Sequence, residues 1–184
     1  MESLEYLAGL LEQRNWVDGE ISRLIGRPAY SGHLGEFIAL TVFGIRLHES
    51  ATTKSSDGVF ASGALAGKSV NVKYYARMQP LLDMSASVDP ADHADYYLVM
   101  TGPRGPAASS KGQLLAFSIA AAYLFDSHQL IAEQTRRNVK LGVDSSVSYP
   151  LWTAAMIYPE QGNPLLQLIE VQREMLSLFD AGRS

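Results

Sequence analysis

Ser69-Val-Asn-Val-Lys-Tyr-Tyr75 alternates without a break. Val70, Val72 and Tyr74 fall on one face of an extended strand, and Asn71, Lys73 and Tyr75 on the other. Tyr96-Tyr-Leu-Val-Met100 reads as a second strand, entered from an acidic loop and left through Thr101-Gly102-Pro103. Residues 114–122 are apolar and alanine-rich; a buried strand is favoured there, although the alanines suit a helix equally well. Residues 139–143 fit a short strand.

Helical spacing surrounds these strands. Over residues 3–15, Leu4, Leu7 and Leu11 share a face and Ser3 is a suitable N-cap. A short helix over residues 19–25 follows, ended by Gly26-Arg27-Pro28. Residues 32–42 place Leu34, Phe37, Ile38 and Thr41 at burial spacing. Asp126 with Gln129 forms a capping-box pattern that opens a helix to Arg137. Tyr149-Pro150 opens another, and Asn163-Pro164, a cap followed by an N1 proline, opens the last, through Phe179. Helices flanking a central set of strands predict an α/β (α+β) fold. Asp57-Gly58 and Ser62-Gly63 read as turns, and residues 104–112 as a loop.

Composition bounds the rest. A chain of 184 residues, 47% hydrophobic and 18% charged, fits one domain with a normal core. No apolar run reaches the ~20 residues of a membrane span, and the acidic start Met1-Glu-Ser-Leu-Glu5 lacks the basic region of a signal peptide. The expectation is a cytoplasmic protein without a membrane partner. The absence of cysteine excludes disulfides, thiol catalysis and cysteine-ligated zinc. A net charge of −4 departs from the basic balance of a generic nucleic-acid binder, but binding depends on local charge. Lys68, Lys73 and Arg77 cluster in sequence, as do Arg136, Arg137 and Lys140.

The strand carries the chemistry. Residues two apart project together, so Asn71 and Lys73 point the same way. Asp57 lies close enough in sequence for a hairpin to bring its carboxylate to the neighbouring strand's end. Glu36 sits on a helix pinned to the sheet by Leu34, Phe37 and Ile38. Two carboxylates, an amide oxygen and an ammonium so arranged suit a hard divalent cation, held by oxygen and keeping several waters. The lysine would orient or deprotonate an attacking water.

The runs Gly32-His-Leu-Gly-Glu36-Phe-Ile-Ala, Ser56-Asp57-Gly58 and Gly67-Lys-Ser-Val-Asn71-Val-Lys73 together resemble the PD-(D/E)xK nuclease superfamily. They are most similar to its small restriction-endonuclease-like bacterial domains of unassigned function. Tyr123-Leu-Phe-Asp126, Leu141-Gly-Val143 and the stretch from Trp152 to Tyr158-Pro159 extend the likeness over residues 30–180. The resemblance implies a single restriction-endonuclease-like domain over residues 1–184, a mixed central sheet flanked by helices, with N-terminal helices 1–30 packing on it. Glu36, Asp57, Asn71 and Lys73 would be catalytic, with Mg2+ or Mn2+ held by Asp57, Asn71, the Val72 carbonyl and Glu36. At position 71 the superfamily usually has Asp or Glu; Asn brings an oxygen without a charge. Some members keep activity with an amide there, typically Gln.

Other signals are set aside. Gly63-Ala-Leu-Ala-Gly67-Lys68-Ser69 has one residue too few for a P-loop and precedes a strand, so a hairpin turn is the better reading. Asp89, Asp92, His93 and Asp95 read as a solvated loop with a turn-forming Asp-Pro. His33, His48, His93 and His128 lack zinc-hydrolase spacing, and Tyr74, Tyr75, Tyr96 and Tyr97 read as sheet residues. Two functions stay in play, with a purely structural role as a third. The first is a magnesium-dependent endonuclease of restriction type cutting double-stranded DNA as a homodimer, with Lys68, Arg77, Arg104, Lys111, Arg136 and Arg137 as candidate phosphate contacts. The second is the same fold used as a DNA-binding or protein-interaction module.

Overall fold

The structure is a computed structural model that describes residues 2–48, 55–104 and 116–181. In chain order it runs α1 (Glu2–Ile25), α2 (Ser31–Phe43), β1 (Ile45–Leu47), β2 (Gly58–Phe60), β3 (Ser69–Tyr75), β4 (Leu81–Leu82) and β5 (Tyr96–Thr101). It continues through β6 (Ala121–Asp126), α3 (Ser127–Arg136), β7 (Ser145–Ser146), α4 (Tyr149–Ala155), β8 (Met156–Tyr158) and α5 (Glu170–Ser177). Six strands form one mixed sheet in the order β1-β2-β3-β5-β6-β8, and β4 pairs with β7 apart from it. Only the β3–β5 pair is parallel within the large sheet. The mixed α/β class expected from the sequence is the one observed.

Two cores follow from the alternation of the central strands. Val70, Val72, Leu98, Met100 and Leu124 point to the side of α2 and α5. Tyr97, Val99, Tyr123 and Phe125 point to the other, against Leu130 and Ile131 of α3 and Trp152 of α4. All six residues of β5 are buried, so it has no solvent face to keep polar. Each fully buried aliphatic side chain contributes about 1.5–3 kcal/mol. α2 lies close on β3: a Cβ at Gly35 would stand 2.8 Å from that of Tyr74. This contact fixes the height of the helix above the strand.

Several expected elements are displaced. The two N-terminal helices are one, because Trp16, Val17 and Asp18 continue the turn between them. The strand expected over residues 114–122 is instead Ala121–Asp126; residues 116–120 enter it as irregular chain, and the beginning of the expected strand lies outside the described residues. Residues 139–143 are not a strand. Asn138 and Gly142 adopt positive φ of 55° and 145°, and pairing begins only at Ser145. Asn163 does not open a helix. Its side chain accepts from Leu165 N (2.8 Å) and donates to Leu124 O (2.6 Å), clamping an irregular segment to β6. The last helix starts at Glu170, with Gln172 Oε1 accepting from Ile169 N (3.1 Å). The Asp126 cap is present as expected, its carboxylate accepting from Gln129 N at 2.9 Å.

Among the described residues no helix is long and apolar enough to cross a membrane.

Candidate functional site

β2 and β3 part company just where the sequence placed its chemistry. Their paired residues are Val59 with Ser69 and Gly58 with Val70, while β3 runs on to Tyr75 along β5. Asp57 stands at the parting. Its N–H donates to Val70 O (2.9 Å), its carbonyl accepts from His48 N (2.9 Å), and its Oδ2 accepts from Val72 N (2.7 Å). A main-chain carbonyl would make the last bond in a continuing ladder; here a carboxylate makes it, and the strands fork around it. Gly58 is not a turn residue. It opens β2 where a Cβ would lie 2.4 Å from Arg46 O, so the close approach of β1 requires glycine and sets the position of Asp57 beside it.

Asn71 faces away from the α2 core that its neighbours Val70 and Val72 enter. Its Nδ2 donates to Ser55 O at 3.4 Å. Its Oδ1 is buried without a hydrogen-bond partner, which costs about 1–3 kcal/mol. Val72's carbonyl points to the same strand edge as its N–H, towards the gap that β2 leaves. Lys73, half-buried, follows Asn71 on the same face. The fork thus gathers a carboxylic side chain, an unpartnered amide oxygen, a main-chain carbonyl and a lysine on Asp57 and the neighbouring positions 71–73.

Glu36 is held differently. Its carboxylate forms an ion pair with Arg27, just beyond α1. α2 covers the opposite face of β3 from Asn71 and Lys73, so Glu36 belongs to the sheet's other side. Among the described residues no three of His, Cys, Asp and Glu are grouped so as to hold a metal ion. The oxygens at the fork are of the kind a magnesium-like ion takes, since it accepts neutral oxygens and retains waters. Among the described residues the fork carries one carboxylate, that of Asp57.

The candidate phosphate contacts divide. Arg104 pairs with Met78, the neighbour of Arg77, beyond the ends of β3 and β5, where Met78 N donates to Pro103 O (3.3 Å). The Arg104 guanidinium lies 4.8 Å from the centre of the Tyr149 ring. Lys68 sits at the start of β3 and pairs with Asp95 at 3.4 Å. Arg136 and Arg137 both pair with Glu133, and Lys111 lies outside the described residues.

The residues set aside on sequence have structural work. His33 Nδ1 lies 2.8 Å from Pro28 O. The Asp89 side chain accepts from Ala91 N (2.9 Å) in a 3-10 turn, and His93 bridges Tyr97 Oη and Ser87 O, both at 2.8 Å. Gly63 and Gly67 take positive φ in the β2–β3 connection, a turn rather than a phosphate cradle. Burial pushes Tyr75 and Tyr97 each up to about 12, as expected of sheet residues rather than a stacking platform.

Asp95 was missed as a positioning group. It immediately precedes β5, and only the parallel pairing of β3 with β5 brings it onto Ser69. The chain matches no family model and no curated protein.

Proposed function

We propose that the fork between β2 and β3 holds magnesium or manganese, and that the chain is a DNA endonuclease of restriction type. It would hydrolyse phosphodiester bonds of double-stranded DNA in the cytoplasm as a homodimer. The observation that carries this reading is the buried, unpartnered Oδ1 of Asn71 beside the Asp57 carboxylate. Folding bears the cost of that orphan, and an ion at the fork would remove it.

Asp57, Asn71 and the Val72 carbonyl would hold the ion. A bound divalent cation supplies charge neutralisation at the scissile phosphate and acidifies a nearby water. Lys73 orients the attacking water or takes its proton. Arg77 and Arg104 position the phosphate backbone without reading sequence. Plasmid DNA should be cut only with divalent metal; Asp57→Ala should abolish cutting, and Lys73→Ala should slow it by orders of magnitude. Intact plasmid across a panel of DNA substrates and divalent metals overturns the reading.

A second reading has its own support. The Arg27–Glu36 pair, which holds the helix carboxylate away from the fork, favours a nuclease fold that binds DNA or protein without cleaving. Salt-sensitive DNA binding with no cleavage, and cleavage gained on Asn71→Asp, would identify it.

A further inference from the structure

α1 stands clear of the domain for most of its length. Residues 3–8 and 10–17 are exposed, and the helix becomes partly covered only from Asp18, towards the end that meets α2. A solitary helical arm in water is marginal, and Gly9 and Gly19 weaken this one further. The arm nevertheless carries Leu4, Leu7, Leu10, Leu11, Val17 and Leu24, exposed by 43% to 73%. At its root, beside Ile21 and Ile25, an apolar groove of about 550 Å³ opens over Leu34, Phe37 and Phe179.

The spacing names an occupant. On a seven-residue repeat starting at Leu4, the core positions run from Leu4, Leu7 and Leu11 through Arg14 and Asp18 to Ile21 and Ile25. Leu10, Val17 and Leu24 form one flank. We propose that α1 pairs antiparallel with α1 of a second copy of this chain, about a two-fold axis near Trp16 and Val17. Leu7 then faces the partner's Ile25, and Leu11 faces the partner's Ile21. Leu10 lies against the partner's Leu24, and Val17 meets its own copy. The partner's Leu4 and Leu7 arrive over the groove and fill it.

Charge selects this orientation. Arg14 and Asp18 pair within one helix at 3.4 Å, with side chains 74% and 44% exposed. Antiparallel pairing sets each against its opposite in the partner. Parallel pairing sets Arg14 on Arg14 and Asp18 on Asp18, a like-charge clash in the seam. The apolar face joins the exposed leucines of the arm to the groove at its root in one continuous stripe. The surface is symmetric and self-complementary, as a two-fold dimer requires.

The proposal does not depend on the chemistry of the fork, and its test reads mass and cross-linking alone. In sedimentation equilibrium at micromolar concentration the full chain should have twice its monomer mass. Leu7→Glu with Leu11→Glu should return it to monomer with the amide-exchange protection of the buried strand β5 unchanged, because both side chains are exposed in the single copy and neither touches the sheet. The chain has no cysteine, so orientation can be read cleanly. A mixture of Leu10→Cys and Leu24→Cys proteins should form a mixed disulfide dimer, and Leu10→Cys alone should not cross-link. A monomeric wild type, a dimer that survives the double Glu variant, or cross-linking of Leu10→Cys alone would each overturn the proposal.

Discussion

Two carboxylates grip strand β3 by main-chain N–H groups, and they are finished to different degrees. At its start, Asp95 Oδ2 accepts from Ser69 N (2.8 Å) and Ser69 Oγ (2.7 Å). Lys68 Nζ stands 3.4 Å from Oδ1, and Asp95's own N–H donates back to Ser69 Oγ (2.8 Å). Three residues along, Asp57 accepts from Val72 N, and the amide beside it keeps a buried oxygen with no partner. The same device closes a strand junction in one place and leaves one open in the other. A junction whose donors and acceptors balance is complete as structure. One that carries an uncompensated buried acceptor costs stability, and a ligand that reached the acceptor would offset that cost.

The strongest way to break the comparison is at Asp57. On the endonuclease reading, Asp57→Ala removes the carboxylate that the described residues place at the fork, and metal-dependent plasmid cleavage should fall below detection. Lys73→Ala should lower the rate about 10²–10⁴-fold, the usual worth of a positioned proton-transfer group, and weaken magnesium binding little. If calorimetry finds equal magnesium affinity in wild type and Asp57→Ala, the ion is not held at the fork.

Asp95 should fail in a different currency. Asp95→Asn weakens two bonds to an ionised acceptor, and a loss of about 2–3 kcal/mol of unfolding free energy is expected by urea titration. The Lys68 pair adds little, being exposed. Desolvation raises Asp95, but the Ser69 hydroxyl and N–H with Lys68 outweigh it and hold the carboxyl below the ordinary range. Its folded value is therefore the depressed one. The stability it contributes is fully present above the unfolded value near ~4 and is lost as pH falls through the folded value. Wild type should lose this increment below about pH 4, and Asp95→Asn should lack that part of the acid slope.

How much of this was legible in the chain depends on the range of the interaction. Alternation over residues 69–75 and the Asp126 cap are local, and both were readable. The Asp57–Asn71 relation needed only a hairpin, so sequence order sufficed to suggest it. Asp95 escaped because its partner lies 26 residues away across a parallel pair, which no local pattern announces. Glu36 was readable as a helix carboxylate, but its pairing with Arg27 and its side of the sheet are tertiary facts. Asn163 misled because Asn-Pro favours both a helix start and an irregular turn. The demand of Leu124 O for a donor decided between them.

The smallest expected effect is the most discriminating. Asn71→Val deletes the orphaned oxygen and one long hydrogen bond to Ser55, and puts a strand-favouring side chain at a half-buried strand position. Removing a buried acceptor that has no partner relieves its desolvation cost, whereas the 3.4 Å bond returns little. Without metal the variant should be as stable as wild type or about 1 kcal/mol more stable. Ser69→Ala, which strips the hydroxyl that donates to Asp95 Oδ2 and accepts from Asp95 N, should cost about 1–2 kcal/mol. Millimolar magnesium should then raise the thermal midpoint of wild type and leave Asn71→Val unmoved, because only the former has the side-chain amide oxygen beside the Val72 carbonyl. Equal destabilisation by Asn71→Val and Ser69→Ala would mean that both junctions are structural and that the fork stands open for no ligand.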